Sequence, residues 1–165
     1  MYNVGEYVVK VNTGICRIEE IVLMNITGSG EKQYYMLLPI GDNKSKMYVS
    51  TDADRKSIRP VMTKQDAEDF MKRAPQIEAV WVPNDKLREQ QYKTALKTNE
   101  PEELLGIIKN LYKRGQARIA QGKKITSTDE KYFRQAEKAL YSELAFSLEV
   151  EKEKIEEYIT ETIRE

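Results

Sequence analysis

The side chains that most often carry out catalysis are sparse in this chain. It has no histidine, the commonest general base and metal ligand, and its one cysteine, Cys16, lies in an apolar strand pattern with no histidine to activate it. The stretch 28–30 lacks the Lys-Ser/Thr pair and the following helix that a phosphate-binding loop requires. Carboxylate pairs such as Glu102 and Glu103 are typical of solvated helix faces, and no metal-ligand spacing occurs. We therefore predict no catalytic residue, no metal site, no cofactor and no enzymatic activity.

Basic residues provide the clearest indication of binding. The formal net charge is zero, but residues 86–138 contain 13 basic and 7 acidic side chains, whereas residues 139–165 contain 3 basic and 8 acidic. The first segment is a candidate anion-binding surface and the second is an acidic tail. The alternative is that these cations only solvate helix faces. Cations at helix-compatible spacing and at a helix exit would make a patch for a few phosphates if they converge; they are Lys86, Arg88, Lys93, Lys97, Lys109, Lys113, Arg114, Arg118, Lys123 and Lys124. Of these, the candidates for DNA contact are Lys86, Arg88, Lys93, Lys123 and Lys124.

The only tryptophan, Trp81, precedes the basic segment in an irregular stretch that contains two prolines. Two interpretations stay open for it. The indole packs between domains, or it faces a partner, since aromatic residues are enriched at binding hot spots. We include Trp81 among the candidate DNA-contacting residues.

Residues 6–61 have a pattern typical of short β-strands. A run of β-branched and aromatic residues ends at Asn12-Thr13-Gly14, which is a turn signal. Further strand-like runs follow at 15–24, 33–38, 47–50 and 58–61. Strands this short, joined by hairpin-length turns, favour a small curled sheet or an SH3-like barrel.

From Thr63 onwards the apolar period is helical, and we expect five helices. Thr63 is the predicted cap of the first. Asn99 and Ser127 each precede a glutamate by three residues, the capping-box pattern, and so predict two further helix starts. Gly115 and Gly122 are candidate helix stops. The predicted domains are a β module at 1–61, a first helix and linker at 62–84, and a helical domain at 85–165.

The cellular compartment is predicted from three features that the sequence lacks: paired cysteines, a membrane helix and a signal peptide. A single cysteine permits no internal disulfide and fits a reducing cytoplasm. No apolar run approaches the length of a membrane helix, and the first residues lack the pattern of a signal peptide. We expect a cytoplasmic protein with no membrane contact.

The segments above, in this order, resemble the CarD/CdnL family of bacterial RNA polymerase-binding transcription regulators over nearly the whole chain. The matching segments are VGEYVVKVNTGICRIEEI at 4–21, QYYML at 33–37, IRPV at 58–61, Tyr92-Lys93, LYKR at 111–114, GKK at 122–124 and SELA at 142–145. The β module is similar to the polymerase-interacting domain shared with the transcription-repair coupling factor. The predicted fold class is α+β with two domains, a small Tudor/SH3-like β-barrel module followed by an all-α five-helix bundle.

The resemblance implies that the β module binds the β subunit of RNA polymerase. The candidate contact residues are Met24, Tyr35, Leu37 and Tyr48. Met24 and Tyr48 are uncharged where some members have basic residues, so we expect the contact to depend more on edge-strand pairing and apolar burial. Tyr35 and Leu37 alternate with other apolar residues, so one set faces the core and the other faces a partner or the helical domain.

The resemblance also implies that the helical domain touches promoter DNA at the upstream edge of the melted region. Many members insert a tryptophan into the minor groove from a position four residues before the Tyr-Lys pair, and this chain has Arg88 there. An arginine enters a narrow minor groove through its charge, without unstacking bases. We expect Lys86, Arg88 and Lys93 to carry the contact. The next candidates are Trp81, Lys123 and Lys124.

The predicted function is that of a non-enzymatic transcription regulator that bridges polymerase and promoter. It would stabilise the open complex through contacts that the closed complex lacks. Free protein is expected to bind DNA weakly, and tethering to polymerase to strengthen the contact by raising the effective concentration. The alternative is a protein–protein adaptor whose helical domain binds another protein. The oligomeric state is open, with a monomer expected, and the expected location is cytoplasmic, at the nucleoid through polymerase.

Overall fold

A computed structural model describes residues 1–42, 44–80 and 84–164. The chain divides into two compact units, Met1–Val61 and Met62–Glu165. Within the described ranges the first unit contains five strands and the second contains five α-helices, which confirms the predicted α+β class. Trp81 lies outside the described residues. No helix in the described part of the chain is long and apolar enough to cross a membrane.

The β unit begins with the predicted hairpin. Its strands are β1 (Tyr7–Lys10), β2 (Gly14–Met24), β3 (Lys32–Pro39), β4 (Met47–Ser50) and β5 (Ile58–Pro60). Asn12 and Gly14, in and after the turn between β1 and β2, have φ values of 66° and 102°. Glycine and asparagine adopt positive φ at the lowest steric cost, so these residue types determine where the chain reverses. The turn pairs Lys10 with Gly14 and sets the register of the hairpin.

The five strands form one antiparallel sheet in the order β4-β3-β2-β1-β5. The register between β2 and β3 shifts between Ile18 and Glu20, an irregularity of the kind that bends a strand. One face of the sheet covers a small hydrophobic core. The buried core residues are Val8, Cys16, Ile18, Tyr35, Leu37, Val49 and Ile58.

Cys16 lies within this core and is fully buried. Burial raises the pKa of its thiol to about 11, because the charged thiolate is poorly solvated there. The thiol is therefore protonated at neutral pH. It packs as a small apolar side chain and does not provide a nucleophile.

The helical unit has a core of its own. Its helices are α1 (Lys64–Arg73), α2 (Arg88–Lys97), α3 (Pro101–Ala120), α4 (Ser127–Leu148) and α5 (Lys152–Arg164). Leu105 and Ile108 of α3 pack with Leu140 and Leu144 of α4 at its centre. Phe70 of α1 lies in the same core, and α1 belongs to the helical unit.

The helix caps only partly follow the sequence prediction. The cap at Thr63 is confirmed, with its hydroxyl accepting a backbone N–H three residues ahead at 3.0 Å. The prediction at Asn99 is wrong, because Asn99 has a left-handed conformation (φ 59°) and α3 begins at Pro101. The cap of α4 is Thr126, one residue before the predicted Ser127.

Gly115 is not a helix stop, which corrects that prediction. It lies inside α3, where an added Cβ would come within 3.1 Å of the Ile125 side chain. Glycine at this position lets the loop between α3 and α4 approach the helix closely. The other predicted stop, Gly122, is confirmed, since it follows the end of α3 with φ of 75°.

Candidate functional site

Three helices bring one buried carboxylate and two arginines together. Arg114 of α3 donates from Nε to Asp129 Oδ2 of α4 at 2.8 Å, and Arg88 Nη2 of α2 lies 3.7 Å from Asp129 Oδ1. Asp129 is only 2% exposed. We refer to these residues as the Arg88–Asp129–Arg114 cluster. It joins the start of α2, the second half of α3 and the start of α4.

The position of Asp129 explains why a carboxylate is tolerated there. It is the third residue of α4, and its backbone N–H donates to the hydroxyl of the capping Thr126 at 3.1 Å. The N-terminus of a helix carries partial positive charge, which stabilises a carboxylate. A buried charge also needs a close partner, and the two arginines supply it. Asp129 is thereby fixed as the centre of the junction.

Arg88 is therefore not presented as an open contact for a minor groove. Its side chain is 16% exposed, and its guanidinium faces Asp129. This placement does not favour the expectation that Arg88 leads the DNA contact, which stays a prediction. The physical reason is that the carboxylate of Asp129, 41 positions later in the chain, attracts the Arg88 guanidinium and holds it against α4.

Two tyrosines extend this contact between α2 and α4. The Tyr132 hydroxyl donates to Glu89 Oε1 at 2.9 Å, and the rings of Tyr92 and Tyr132 are 5.6 Å apart. The hydrogen bond from Tyr132, and then the charge of Lys93, lower the pKa of Glu89. Lys93 Nζ lies 3.6 Å from Glu89 Oε1, and both side chains are half exposed. Lys93 thus retains access to solvent while forming a weak surface ion pair.

Three other predicted cations are exposed at this end of the helical unit. Lys86 lies in a single 3₁₀ turn, Asp85–Leu87, that leads into α2. Lys123 and Lys124 lie in the loop between α3 and α4, where Arg118 Nε donates to the Lys124 carbonyl at 2.8 Å. With Lys93 they form the exposed lysine set, defined as Lys86, Lys93, Lys123 and Lys124. Both of its segments adjoin the Arg88–Asp129–Arg114 cluster, so the fold brings these cations to one end of the unit.

The predicted polymerase-binding residues divide between the two faces of the sheet. Tyr35 and Leu37 are 1% and 0% exposed and belong to the core. Their inclusion as contact residues is corrected, because side chains that fill the core cannot reach a partner while the unit is folded. Met24 and Tyr48 lie on the opposite face by strand alternation, and Tyr48 is 44% exposed.

The two edges of the sheet differ in their capacity to pair with another strand. The β5 edge contains Pro60, which has no backbone N–H to donate. The β4 edge, Met47–Ser50, has no proline and pairs with β3 on one side only. Tyr48 lies on this edge strand, which therefore has one side that pairs with no other described strand and also carries an exposed aromatic side chain.

A separate cleft lies between α1 and the start of α3. It has a volume of about 510 Å³. Its apolar lining includes Met62, Phe70 and Pro101, and its charged lining is mostly acidic. Arg73 forms a salt bridge with Glu102 at its rim. Among the described residues, no group of three or more His, Cys, Asp or Glu is placed to hold a metal ion.

Sequence reasoning missed Asp129, and it placed Lys109 of α3 in the candidate phosphate-binding patch although this side chain is buried. Asp129 carried one usable signal, because it follows Thr126 by three residues in the pattern of a capped helix start. Lys109 carried none, since it lies among leucines and isoleucines on a helix that the charge pattern describes as basic. Only the fold shows that its ammonium is inside the unit.

Two family models match the chain. The one described as CarD-like/TRCF RID domain matches residues 2–62, and the one described as CarD, C-terminal domain, matches residues 73–160. The first match covers the β unit and ends one residue into the helical unit, and the second begins at the last residue of α1 and lies within the helical unit. A comparison with curated proteins finds no match.

Proposed function

Because this chain belongs to the CarD-like family of RNA polymerase-interacting transcription regulators, we propose that it stabilises promoter open complexes as a bridge. The β unit binds the polymerase β subunit and the helical unit contacts promoter DNA. The observation that carries the DNA part is the exposed lysine set, gathered at one end of the helical unit. The mechanism is differential binding, in which contacts made only in the open complex shift the equilibrium towards it.

The number of exposed lysines limits how strongly the free protein binds DNA. Each neutralised phosphate contributes about −0.9 to the slope of log affinity against log salt, so four lysines give a slope of about −3.6 at most. The zero net charge of the chain provides no long-range attraction to add to this. Binding to polymerase through the β unit supplies the missing affinity, because it raises the local concentration of the lysines near the promoter.

The polymerase contact is proposed at the β4 edge. A partner strand that pairs with the outer side of Met47–Ser50 would extend the sheet and bury Tyr48. Met24 lies at the end of β2 on the same face as Tyr48, and we include it in the proposed contact.

The DNA contact is tested with the variant Lys86→Glu/Lys123→Glu/Lys124→Glu. We expect it to lose the extension of open-complex lifetime and to keep its affinity for polymerase, since all three side chains are exposed. The matched control is Lys64→Glu/Lys72→Glu/Lys154→Glu, which makes the same charge change at exposed lysines of α1 and α5. The lifetime is measured with the polymerase of the source organism after a heparin challenge. Equal loss in both variants would indicate a general charge effect and contradict the proposed site.

The polymerase contact is tested with Tyr48→Ala. We expect affinity for a β-subunit fragment to fall roughly tenfold, as for an aromatic residue at an interface centre. Tyr7→Ala is the control, because Tyr7 is a similarly exposed tyrosine on β1, away from the β4 edge. Titration calorimetry measures both affinities. Equal effects of the two substitutions would place the contact elsewhere than at β4.

A second candidate function is that of a protein–protein adaptor. The cleft beside Phe70 favours the adaptor function, because a lining of apolar and mostly acidic side chains fits a basic segment of another protein. This alternative predicts no crosslink between the helical unit and promoter DNA in a complex that still contains polymerase. A crosslink to promoter DNA from a photoreactive residue at position 124 would support the DNA contact and contradict the adaptor function.

A further inference from the structure

The main chain between α1 and residue 80 is held against α3 by side chains of α3. Lys109 Nζ donates to the carbonyls of Ala74 and Ile77, both at 2.5 Å. Asn110 Nδ2 donates to the Val80 carbonyl, also at 2.5 Å. We call the residues 74–80 the strap. Three of its carbonyls are thus bound by two adjacent side chains.

The strap also lies unusually close to α3. The Val80 backbone N–H donates to the Gly106 carbonyl at 3.0 Å. A Cβ added at Gly106 would lie 2.9 Å from Val80 Cγ2 and 3.3 Å from the Glu78 carbonyl oxygen. Any larger residue at 106 would therefore push the strap away. Gly106, Lys109 and Asn110 lie on one face of α3, three and four residues apart.

Lys109 is buried at a place where an ammonium group is costly. Burial, and then the charge of Lys113, lower its pKa. Its ammonium lies at the C-terminal end of α1, since Ala74 is the C-cap of that helix, and the carbonyls there carry partial negative charge. An apolar side chain of the same length would fill the space but would bind none of these carbonyls.

The same helix also holds the chain after the strap. Arg114, four residues beyond Asn110, binds Asp129, and Asp129 in turn pairs with Arg88. The chain is thereby held by α3 before residue 81 and, through Asp129, again at residue 88. Between these points lies the 3₁₀ turn Asp85–Leu87. There the N–H groups of Lys86 and Leu87 donate to the side-chain and main-chain oxygens of Asn84.

We propose that Lys109 and Asn110 are positioning residues for promoter contact by Lys86. They hold the strap to α3 and so restrict where the following turn presents its lysine. A lysine that is already positioned loses less conformational freedom when it meets a phosphate, which strengthens the contact. This inference rests on the proposed function, because it assigns to these two residues the orientation of one member of the exposed lysine set.

The test uses Lys109→Met in the full-length chain, with Lys113→Met as the matched control. Lys113 is exposed on the same helix, so its substitution removes the same charge without touching the strap. We expect the open-complex lifetime to shorten roughly fivefold with Lys109→Met. This is the size of effect expected when one or two side chains must become ordered on binding. Lys113→Met is expected to have a smaller effect. Polymerase binding is expected to be unchanged in both.

Two further measurements separate positioning from general stability. The Val80 amide is expected to exchange its hydrogen faster in Lys109→Met, while the amide of Leu144 in the core of α4 keeps its rate. In the Lys86→Glu background, Lys109→Met is expected to shorten the lifetime no further, because the residue that it positions is already lost. If the two substitutions are additive, or if Lys113→Met has the same effect as Lys109→Met, the inference is wrong.

A folding defect of Lys109→Met does not prevent the test. Asn110→Ala removes only the donor to the Val80 carbonyl, and the same loss of lifetime and the same lack of additivity are expected from it. The triple lysine variant separates this inference from the proposed function. If the triple lysine variant extends the open-complex lifetime as much as the native chain does, both the proposed DNA contact and the positioning role are wrong. If it has lost the effect while Lys109→Met and Asn110→Ala retain it, only the positioning role is wrong.

Discussion

The junction of α2, α3 and α4 and the loop between α3 and α4 contain the same type of charge in different states. At the junction, Arg88 and Arg114 converge on the buried Asp129. In the loop, Lys123 and Lys124 extend into solvent. A count of charges along the sequence does not distinguish the two arginines from the two lysines. Half of this local positive charge therefore pairs inside the unit, and half is exposed to solvent.

The same division occurs within the β unit. Leu37 and Tyr48 are both apolar residues of short strands, but one fills the core and the other lies on an exposed edge. In each unit, residues that are buried or paired within the fold lie next to residues that are exposed to solvent. Substitutions in the two groups are therefore expected to differ in which property they change, stability or binding.

The largest effect is expected from removing the centre of the junction. Asp129→Ala leaves two arginines without their buried carboxylate, and we expect the free energy of unfolding to fall by about 3 to 5 kcal/mol. The control is Asp66→Ala, which removes a carboxylate from the same position of α1, where it is exposed. There we expect a loss of about 0.5 kcal/mol. Urea denaturation measures both, and similar losses would contradict the special role of the junction.

A smaller effect is expected from removing one arginine. Arg88→Met preserves the length of the side chain and leaves Asp129 paired with Arg114, so we expect a loss of about 1 to 2 kcal/mol. Lys93→Met is the matched control on the same helix, since it removes only a half-exposed ion pair, with an expected loss below about 0.5 kcal/mol. If Arg88→Met leaves stability unchanged and abolishes the effect on open complexes, Arg88 is a DNA contact after all.

Glu137, a partly buried carboxylate of α4, is expected to make stability depend on pH. Burial, and then the charge of Glu156, raise the pKa of Glu137 from 4.5 to about 7, against opposing effects of Arg134 and Lys152. The folded state therefore holds this proton more strongly than the unfolded state. The Glu137 contribution to stability is fully present below the unfolded pKa and is lost as the pH rises through the folded pKa.

The measurement is the free energy of unfolding across this window. In the native chain it should decrease between about pH 5 and about pH 7.5, after allowance for the other groups that titrate there. Glu137→Gln removes the titrating proton, so the decrease should be reduced in that variant. An identical pH profile for the two proteins would show that Glu137 has an ordinary pKa.

The smallest effect on stability is expected in the loop. Lys123→Ala/Lys124→Ala changes two exposed side chains, and we expect the free energy of unfolding to stay within about 0.5 kcal/mol of the native value. The same variant is expected to reduce the salt dependence of the promoter contact, since two phosphate-neutralising charges are lost. A large loss of stability would show that these lysines, like the arginines, hold the fold together.

Local sequence signals predicted the architecture where the decisive interactions are local. The turn at Asn12-Thr13-Gly14 and the cap at Thr63 involve residues within a few positions of each other, so residue type alone indicates them. The cap at Asn99 failed although its pattern was equally good. Pro101 is favoured in the first turn of a helix, and it moved the start of α3 past the predicted cap.

For the candidate site, the sequence predicted which residue types take part but not which side chains are buried, paired or exposed. Alternation shows that Leu37 and its neighbours in β3 face opposite sides, but not which side is the core, because both sets are apolar. The charge pattern shows that the segment containing Arg88 is basic, but not which charges remain accessible. Both questions depend on residues far away in the chain, such as Asp129.

The sequence by itself determined the α+β order, the hairpin turn, the shortage of catalytic groups and the location of the basic segment. These follow from composition and from interactions between near neighbours. The tertiary structure alone decided that Arg88 and Lys109 make contacts inside the helical unit, that Lys123 and Lys124 are exposed, and that Tyr48 lies on an edge strand. The reason is that burial and ion pairing belong to residues that meet in space, and contacts across 30 or 40 positions leave no periodic signal in a single sequence.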